Sequence, residues 1–173
     1  MRLKFATQNP KLGNVGASVR EYRPPDFDEL WRLDQECFPP GIAYGRSELM
    51  GYMRRRGAFT LVAENSAERV CGFAVAECQL SRLPDNETKL GAGHIITIDV
   101  REEFRRTGVG NMLMDAVEKR LGEAGCGAVY LETAVDNRSA IAFYKRRGYA
   151  VLRIIPRYYE RKLDALLMGK KLP

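Results

Sequence analysis

The chain has 173 residues, 45% of them hydrophobic and 29% charged, which fits one soluble globular domain with its own core. It has no run of about 18 apolar residues, so we expect no membrane-spanning helix. Residues 1–18 also lack the apolar stretch of about 7 to 15 residues that a secretory signal needs. A net charge of +6 favours an anionic partner without identifying it.

Metal binding is not expected from the cysteine and histidine content. The chain has a single histidine, His94, and its four cysteines form no Cys-x-x-Cys pair: Cys37, Cys71, Cys78 and Cys126. A zinc site needs at least three suitably spaced ligands. Isolated cysteines are typical of a reduced, intracellular protein, so we expect a cytoplasmic location.

Residues 1–17 are predicted to be a flexible polar tail, and a single domain is expected over residues 18–173. "SVREYRPP" alternates as a short first strand. "DFDELWRLDQECF" is a helix, in which Asp26 and Glu29 have the spacing of a capping box. "RSELMGYMRRRG" is a second helix, and "AFTLVAEN" and "RVCGFAVAECQL" are the strands of a hairpin.

The second half alternates strands and helices. Residues 94–100 are a strand, and the helix that follows carries apolar residues on one face: Val109, Leu113, Val117 and Leu121. "AVYLETAV" is the next strand, and "NRSAIAFYKRRG" is a helix capped by Asn137 and closed by Gly148. "YAVLRII" and "DALLMGKKL" are two final strands. The predicted order, βααβββαβαββ, is α/β with a strand–helix–strand unit at its centre.

The segment "EEFRRTGVGN" joins that central strand to its helix and has the pattern Arg-x-x-Gly-x-Gly, at Arg105, Gly108 and Gly110. A helix N-terminus offers unpaired N–H groups and a positive dipole end, and glycine lets the backbone approach a ligand closely. Arginine adds charge-assisted hydrogen bonds to an anion. The alternative is a plain turn with exposed arginines. The segment lacks the Gly-Lys-Ser/Thr ending of a P-loop, and its second glycine comes too early for a Rossmann motif.

A second motif follows in "NRSAIAFYKRRGY", with Asn137, Ala140, Tyr144 and Gly148 in fixed spacing. The two motifs in this order resemble the GCN5-related N-acetyltransferase (GNAT) family, and the likeness spans roughly residues 18–172. The resemblance implies a mixed, mostly antiparallel sheet of about seven strands, with a splayed parallel pair at its centre and about four flanking helices. It also implies acetyl-coenzyme A as the acetyl donor, and no metal.

The resemblance further implies where the coenzyme binds. Backbone N–H groups of the turn would hold the pyrophosphate: Arg105, Arg106, Thr107, Gly108, Val109, Gly110 and Asn111. Strand residues Ile98, Asp99 and Val100 would pair with the pantetheine arm. Asn137 and Tyr144 would lie near the arm and the thioester sulfur.

Within the family, "VYLETAVDNRSAIAFYKRRGY" is similar to the corresponding segment of ribosomal-protein alanine acetyltransferases and their N-terminal acetyltransferase relatives. "ECFPPGIAY" and "PRYYERKLDALLM" resemble the two loops that flank the acceptor's N-terminus in those enzymes. The resemblance therefore places four aromatic residues near the acceptor: Phe38, Tyr44, Tyr158 and Tyr159. The first loop is longer than the usual Phe-Pro-x-x-Trp and ends in Tyr44, so the preferred first residue of the acceptor is left open.

Glu132 and His94 are alternative candidates for the general base. Glu132 ends the strand "VYLE" beside the expected cleft and matches the glutamate of the bacterial alanine acetyltransferases. His94 begins the preceding strand, and imidazole exchanges protons near neutral pH. A strand-end carboxylate and a structural histidine are the simpler interpretations. Tyr144 is the expected acid for the leaving thiolate. Direct transfer is favoured over an acyl-cysteine.

The sequence thus predicts acetyl transfer from acetyl-coenzyme A to a protein N-terminus, with a ribosomal protein as the expected acceptor. We expect no stable nucleic-acid binding and no membrane association, and the oligomeric state is left open. The alternatives are a lysine or small-amine acetyltransferase and a non-catalytic coenzyme A sensor. A polyamine enzyme should have an acidic pocket, whereas the acceptor-side loops here are aromatic and basic. A basic RNA-binding module with Tyr158 and Tyr159 as stacking residues would leave both motifs unexplained.

Overall fold

The structure is a computed structural model that describes residues 16–80, 91–160 and 162–173. This part of the chain forms seven strands: β1 (Ser18–Glu21), β2 (Ala58–Glu64), β3 (Val70–Leu80), β4 (Gly91–Val100), β5 (Cys126–Ala134), β6 (Ala150–Tyr159) and β7 (Leu163–Lys171). It also forms four α-helices: α1 (Phe27–Cys37), α2 (Arg46–Met53), α3 (Val109–Glu123) and α4 (Arg138–Arg146). The predicted order of elements and the α/β fold class are confirmed. The predicted tail over residues 1–17 lies almost wholly outside the described residues. The tail and the predicted start of the domain at residue 18 therefore stay predictions.

All seven strands belong to one mixed sheet in the order β1-β2-β3-β4-β5-β7-β6. Neighbouring strands are antiparallel except β4 and β5, which are parallel and joined through α3. Parallel neighbours need a crossover connection, usually a helix, and the central strand–helix–strand unit supplies it. The sheet therefore has the predicted parallel pair at its centre.

Helices cover both faces of the sheet. On one face, α3 buries the stripe predicted from its sequence, including Leu113, Val117 and Leu121. On the opposite face, α1 buries Leu30 and Leu33 against the sheet, and α2 packs beside it. Full burial of an aliphatic side chain contributes about 1.5 to 3 kcal/mol, so these two cores fix the helices on the sheet.

The parallel pair separates part of the way along its length. Residues Gly91–Ile95 of β4 pair with Cys126–Leu131 of β5, and no further pair of these strands follows in the described chain. On the other side of β4, Val75 pairs with Thr97 while Ala76 pairs with Ile95, so Ile96 is the extra residue of a β-bulge. A bulge bends its strand and increases the local twist. The result is a slot between the carboxyl-terminal halves of β4 and β5.

Several helix ends agree with the sequence prediction. Asn137 caps α4 by accepting a hydrogen bond from the Ala140 N–H at 3.1 Å. Gly148 follows α4 with φ +86°, as predicted, and Gly125 follows α3 in the same way with φ +87°. Left-handed backbone at these positions suits glycine and ends each helix.

The predicted capping box of α1 is wrong. Asp26 ends a 3₁₀ turn over Pro24–Asp26 and has helical φ and ψ, so its side chain does not reach back over the first turn of α1. Its carboxylate instead accepts hydrogen bonds from the Arg20 guanidinium at 2.7 and 2.9 Å and from the Arg23 N–H at 2.7 Å. The cation that binds the Asp26 carboxylate is Arg20 on β1. The spacing between Asp26 and Glu29, which suggested the capping box, contains no information about this partner.

Two other predictions need correction. The strand predicted over residues 94–100 begins earlier, at Gly91, because its first residues pair with both neighbouring strands. The cysteines are all free thiols, but they are not all isolated, since the thiols of Cys78 and Cys126 contact each other. Among the described residues, no helix has the length and apolar character needed to cross a bilayer.

Candidate active site at the strand divergence

The turn between β4 and α3 has backbone conformations that suit an anion. Arg106 has φ +63°, and Gly108 has φ +99° and ψ −13°. The N–H of Met112 donates to the Gly108 carbonyl at 3.0 Å, so the N–H groups of α3 before Met112 have no carbonyl four residues earlier within the helix. Successive N–H groups in a turn with left-handed residues form a concave site for anions. The turn therefore has a conformation that suits an anion, and its assignment to a phosphate stays a prediction.

The two glycines of this turn differ. A Cβ at Gly108 would meet no atom within 4 Å, so that position requires glycine only for its left-handed backbone. A Cβ at Gly110 would lie 3.4 Å from the Phe143 ring and 3.8 Å from Val100, which are ordinary van der Waals distances, so that position has room for an alanine. Only the first glycine shapes the turn itself.

The two arginines also differ. The Nε of Arg105 donates to the Val100 carbonyl at 3.0 Å, which turns this side chain back toward the end of β4. Arg106 is exposed. The Thr107 hydroxyl donates to the Phe104 carbonyl at 2.7 Å and ties the turn together. Both arginine side chains are exposed at the turn, although Arg105 also contacts the end of β4.

A basic cavity lies next to the turn, between the start of α3 and the end of α4. Its volume is about 420 Å³, and it is lined by Asn111, Phe143, Arg146 and Arg147. Arg147 donates to the Asn111 amide oxygen at 3.2 Å and to Asp115 at 2.6 Å, which fixes its guanidinium beside the cavity. Asn111 was predicted from the sequence, whereas Arg146 and Arg147 were missed. Basic residues are common in the last turn of a helix, so these two arginines did not indicate a site.

The predicted pantetheine segment of β4 lies along the slot. The carbonyls of Ile96 and Val100 accept side-chain hydrogen bonds, from the Tyr44 hydroxyl at 3.2 Å and from Arg105 respectively. Ile98 lies between them. Asp99 is only 1% exposed, and its Oδ1 accepts a hydrogen bond from Thr97 at 2.9 Å while its Oδ2 has no partner among the described residues. Burial and the nearby Asp34 raise the pKa of Asp99 well above its usual range.

Tyr144 is buried on α4 beside the slot. Its ring packs against Phe143 and Tyr149, with ring centres 5.4 and 5.8 Å away. Burial and the nearby Asp99 raise the pKa of the Tyr144 phenol, so it keeps its proton at neutral pH. The amide oxygen of Asn137 is occupied at the start of the same helix, where it accepts from Ala140 and from the Ser139 hydroxyl at 3.0 Å.

The two candidate bases contact each other where β4 and β5 separate. Glu132 is the first residue of β5 beyond the last pair with β4, and its Oε2 lies 2.7 Å from the Nε2 of His94. His94 stacks on Tyr130, with ring centres 4.5 Å apart and an angle of 10° between the planes. The side chains of His94 and Glu132 are 15% and 14% exposed. The sequence offered the two residues as alternatives, and the structure makes them a pair.

Aromatic side chains surround this pair. The rings of Tyr158 and Tyr159 are perpendicular, with centres 4.9 Å apart, and Tyr44 packs against Tyr52 at 5.0 Å. Partial burial and the nearby Glu132 raise the pKa of Tyr158 to about 12. Burial together with Tyr52, Tyr158 and Tyr159 raises the pKa of Tyr44. Three of the four predicted acceptor residues thus lie in one aromatic wall beside Glu132.

Phe38 is the fourth predicted acceptor residue, and it differs from the others. It follows α1 and its N–H donates to the Asp34 carbonyl at 3.1 Å. Within residues 16–80, 91–160 and 162–173, its half-buried side chain has no ring contact with the tyrosines. Phe38 lies at the start of the loop after α1, and the end of that loop brings Tyr44 to the wall.

Besides the two arginines of the cavity, three residues around the pair were not predicted from the sequence: Tyr52, Glu77 and Tyr130. A signal existed for Glu77, which is a single acidic residue in the otherwise apolar strand "VCGFAVAECQL". Tyr52 and Tyr130 carried no such signal, because aromatic residues are common in strands and in buried helix faces. The floor of the site thus carries two carboxylates, Glu77 and Glu132, where the sequence had suggested aromatic and basic surroundings. No group of three or more metal-ligating side chains occurs in the described ranges.

Comparison with known proteins identifies the family to which this arrangement corresponds. Residues 26–149 match the model of the acetyltransferase (GNAT) family. An N-alpha-acetyltransferase of Sulfurisphaera tokodaii is 30% identical over 157 residues, which cover 89% of this chain and 92% of that protein.

Solved structures give the same result at the level of the fold. Ard1 from Thermoplasma volcanium superposes with a TM-score of 0.78 at 29% identity, covering 92% of this chain and 99% of that one. Arabidopsis thaliana NAA60 in complex with acetyl-CoA superposes with a TM-score of 0.77 at 22% identity, covering 90% and 98%. The second likeness supports the fold alone.

Proposed function

Because the chain belongs to the acetyltransferase (GNAT) family and is an N-acetyltransferase of that family, we propose that it transfers the acetyl group of acetyl-CoA to the N-terminal α-amino group of a protein. The observation that carries this proposal is the contact between Glu132 and His94 at the point where β4 and β5 separate. The contact puts a proton acceptor at the inner end of the slot and beside the aromatic wall.

The donor fits along the slot and the turn. We assign the pyrophosphate to the backbone N–H groups of residues 105–111, in keeping with the left-handed residues there and the anion preference of a helix N-terminus. The cavity beside the turn adds the positive charge of Arg146, while Asp115 and Glu118 compensate that of Arg147. The pantetheine arm would pair with β4 near Ile98, between two carbonyls that already have partners. This placement brings the thioester toward Tyr144 and Glu132.

The acceptor amine must be neutral to attack the thioester. An α-amino group has a pKa of about 7.7 to 8.0, whereas for a lysine side chain the value is about 10.4, which adds about 3 kcal/mol to the cost of deprotonation at neutral pH. A carboxylate–imidazole pair that accepts one proton, directly or through a water, suffices for the α-amino group. The site therefore suits a protein N-terminus better than a lysine.

The proposed reaction is a direct transfer. The amine nitrogen forms a bond to the thioester carbonyl carbon and the C–S bond breaks. The amine proton passes to the pair formed by Glu132 and His94, and the leaving thiolate takes a proton from Tyr144. The Tyr144 phenol is protonated at neutral pH, as a proton donor must be, although burial and the nearby Asp99 raise its pKa and make it a weaker acid. A cytoplasmic site of action and a ribosomal protein as acceptor remain part of the proposal.

One observation favours a second acceptor class. Glu77 and Glu132 give the floor of the site two carboxylates, which would attract a small polyamine.

The deciding experiment is acetyl transfer to synthetic peptides that begin with Ala, Ser or Met, read by mass. Each peptide has a twin with a blocked terminus and a free lysine, and spermidine is tested in parallel.

We expect product on free termini and none on the blocked twins. Replacing Glu132 by Gln should lower kcat by about 100-fold, in the range of lost general base catalysis. Product on the blocked twins or on spermidine alone would contradict the proposal and identify a lysine or small-amine acetyltransferase. Binding of acetyl-CoA without transfer to any acceptor would indicate a sensor.

A further inference from the structure

The single histidine of the chain lies between two carboxylates. We infer that Glu77 is a positioning residue that holds the His94 ring through its Nδ1 edge, so that Nε2 faces Glu132. This inference rests on the proposed function, because it assigns Glu77 to the same base pair. Neither the sequence motifs nor the coenzyme site accounts for Glu77.

The strand register aligns the three side chains across the sheet. Glu77 of β3 is directly opposite His94 of β4, and His94 pairs in turn with Tyr130 of β5, two residues before Glu132. Side chains of directly paired residues lie on the same face of a sheet, and residues two apart on a strand share a face. The row Glu77, His94, Glu132 is thus built into three adjacent strands.

Each ring nitrogen of His94 faces a different carboxylate. Nε2 is 2.7 Å from the Glu132 Oε2, and Nδ1 is 3.6 Å from the Glu77 Oε1. The first distance is a hydrogen bond, and the second is an ion-pair distance that a small movement of either side chain would close. Stacking on Tyr130 fixes the plane of the ring. A half-turn of the ring about its Cβ–Cγ bond would put carbon atoms opposite both carboxylates, so Glu77 and Glu132 together favour the orientation in which Nε2 meets Glu132.

The surroundings of Glu77 fix its carboxylate. Its side chain is 5% exposed, its Oε1 accepts a hydrogen bond from Gln79 at 2.7 Å, and the Arg55 guanidinium is 3.5 Å away. Arg55 is itself held over the Tyr52 ring at 4.1 Å. A carboxylate buried in a sheet face costs free energy unless it is paired. The Gln79 amide, the Arg55 guanidinium and the His94 ring all face the same oxygen of Glu77, Oε1.

The direction of the electrostatic effect follows from the charges around the ring. The groups that face His94 are Glu77 from β3 and Glu132 and Tyr130 from β5, with Tyr158 of β6 beyond Glu132 and Arg55 behind Glu77. A negative charge near imidazole favours the protonated ring. Removal of the Glu77 charge should therefore move the protonation midpoint of His94 to lower pH.

The test is Glu77→Gln, which removes the charge and keeps the size. With a peptide acceptor, we expect kcat to fall by about tenfold, while KM for acetyl-CoA stays within about twofold. The acidic limb of the pH–rate profile should move to lower pH. Glu77→Asp should restore part of the lost kcat. In a His94→Phe background, Glu77→Gln should have little further effect, because Glu77 acts through the ring.

A second readout does not depend on activity. Because His94 is the single histidine, its Cε1–H signal in NMR is unambiguous, and we expect its titration to shift to lower pH in Glu77→Gln. The matched control is Glu64→Gln on β2, which removes a half-buried carboxylate that is paired with Arg20 of β1. This substitution should change neither kcat nor the His94 signal.

An unchanged His94 titration and an unchanged kcat in folded Glu77→Gln would overturn the inference. So would equal losses from Glu77→Gln in the presence and absence of His94, since Glu77 would then not act through the ring. A wild-type protein that acetylates no peptide would instead contradict the proposed function, and the NMR titration would still decide whether Glu77 controls His94.

Discussion

Asp34 shows how a single buried carboxyl can link the loop that follows α1 to pH. It lies on α1 with no exposed surface, and its Oδ2 accepts hydrogen bonds from the Tyr44 N–H at 2.7 Å and from Gln35 at 3.0 Å. Burial raises the pKa of Asp34 to about 6 in spite of these two donors, and the nearby Glu48 adds to the increase. Asp34 therefore anchors the loop that carries Tyr44, but its ionised form destabilises the fold.

This shift predicts how stability depends on pH. The folded protein binds the Asp34 proton more tightly than the unfolded chain, whose Asp pKa is about 3.9. The stabilisation is fully present below about pH 4 and is lost as the pH rises through about 6. Asp34→Asn should flatten this dependence and raise the free energy of unfolding at pH 8 by about 1 to 2 kcal/mol.

Urea unfolding at pH 4, 6 and 8 checks this prediction. Some pH dependence should remain in the variant, because the pKa of the buried Asp99 is raised as well. A variant that is less stable than the wild type at pH 8 would show that the ionised carboxylate is needed to hold the Tyr44 N–H.

For single residues, the sequence predicted which side chains belong to the candidate site better than it predicted their contacts. Glu132 and His94 were found separately, each from its place at a strand end, and their contact at 2.7 Å depends on the register between β4 and β5. Glu77 was missed because only strand pairing brings it beside His94. Contacts across a sheet are set by register, which residue spacing along one strand does not contain.

Among the elements, the turn before α3 can be tested at Gly108, whose backbone is left-handed. Gly108→Ala adds a Cβ that meets nothing within 4 Å, so the cost comes from the left-handed backbone alone. We expect the free energy of unfolding to fall by about 1 to 2 kcal/mol, and KM for acetyl-CoA to rise several-fold as the turn relaxes. The value of kcat should change little.

Gly122→Ala is the matched control. Gly122 lies within α3, and a Cβ there also meets nothing within 4 Å, but its φ is not in the left-handed region. Alanine should stabilise that position by about 0.5 to 1 kcal/mol and leave KM unchanged. Equal effects of the two substitutions on KM would argue against a special conformation at Gly108.

The existence and order of the elements could be predicted, since hydrophobic period and glycine ends are local signals. The bulge at Ile96 and the failed capping box at Asp26 could not. The first depends on how β4 pairs with β3, and the second on an arginine that β1 places beside the carboxylate. Both are decided by contacts that are distant in the sequence.

For the whole molecule, the sheet consists of two parts joined at one short ladder. Strands β1 to β4 form one part and β5 to β7 the other, and the ladder between Gly91–Ile95 and Cys126–Leu131 joins them directly. A ligand that pairs with β4 inside the slot and also contacts α3 and α4 would hold the two parts together. We therefore expect acetyl-CoA to stabilise the entire fold.

A ligand at 100 times its dissociation constant adds about 2.7 kcal/mol to the free energy of unfolding, which for a chain of this size raises Tm by about 5 to 10 °C. Differential scanning calorimetry with increasing acetyl-CoA measures the shift. Gly108→Ala should need more ligand to reach the same Tm increase. A Tm that does not respond to acetyl-CoA at any concentration would contradict the proposed binding mode.

The separation of β4 from β5 also creates a strand edge in the middle of a sheet. Unpaired backbone groups at an edge are a template for any extended chain, and proteins normally cover or charge such edges. Here Tyr44 and Arg105 occupy the carbonyls of Ile96 and Val100, which leaves a short segment around Ile98 for an amide-bearing ligand. The same two side chains that border the slot thus protect the protein from pairing with the wrong strand.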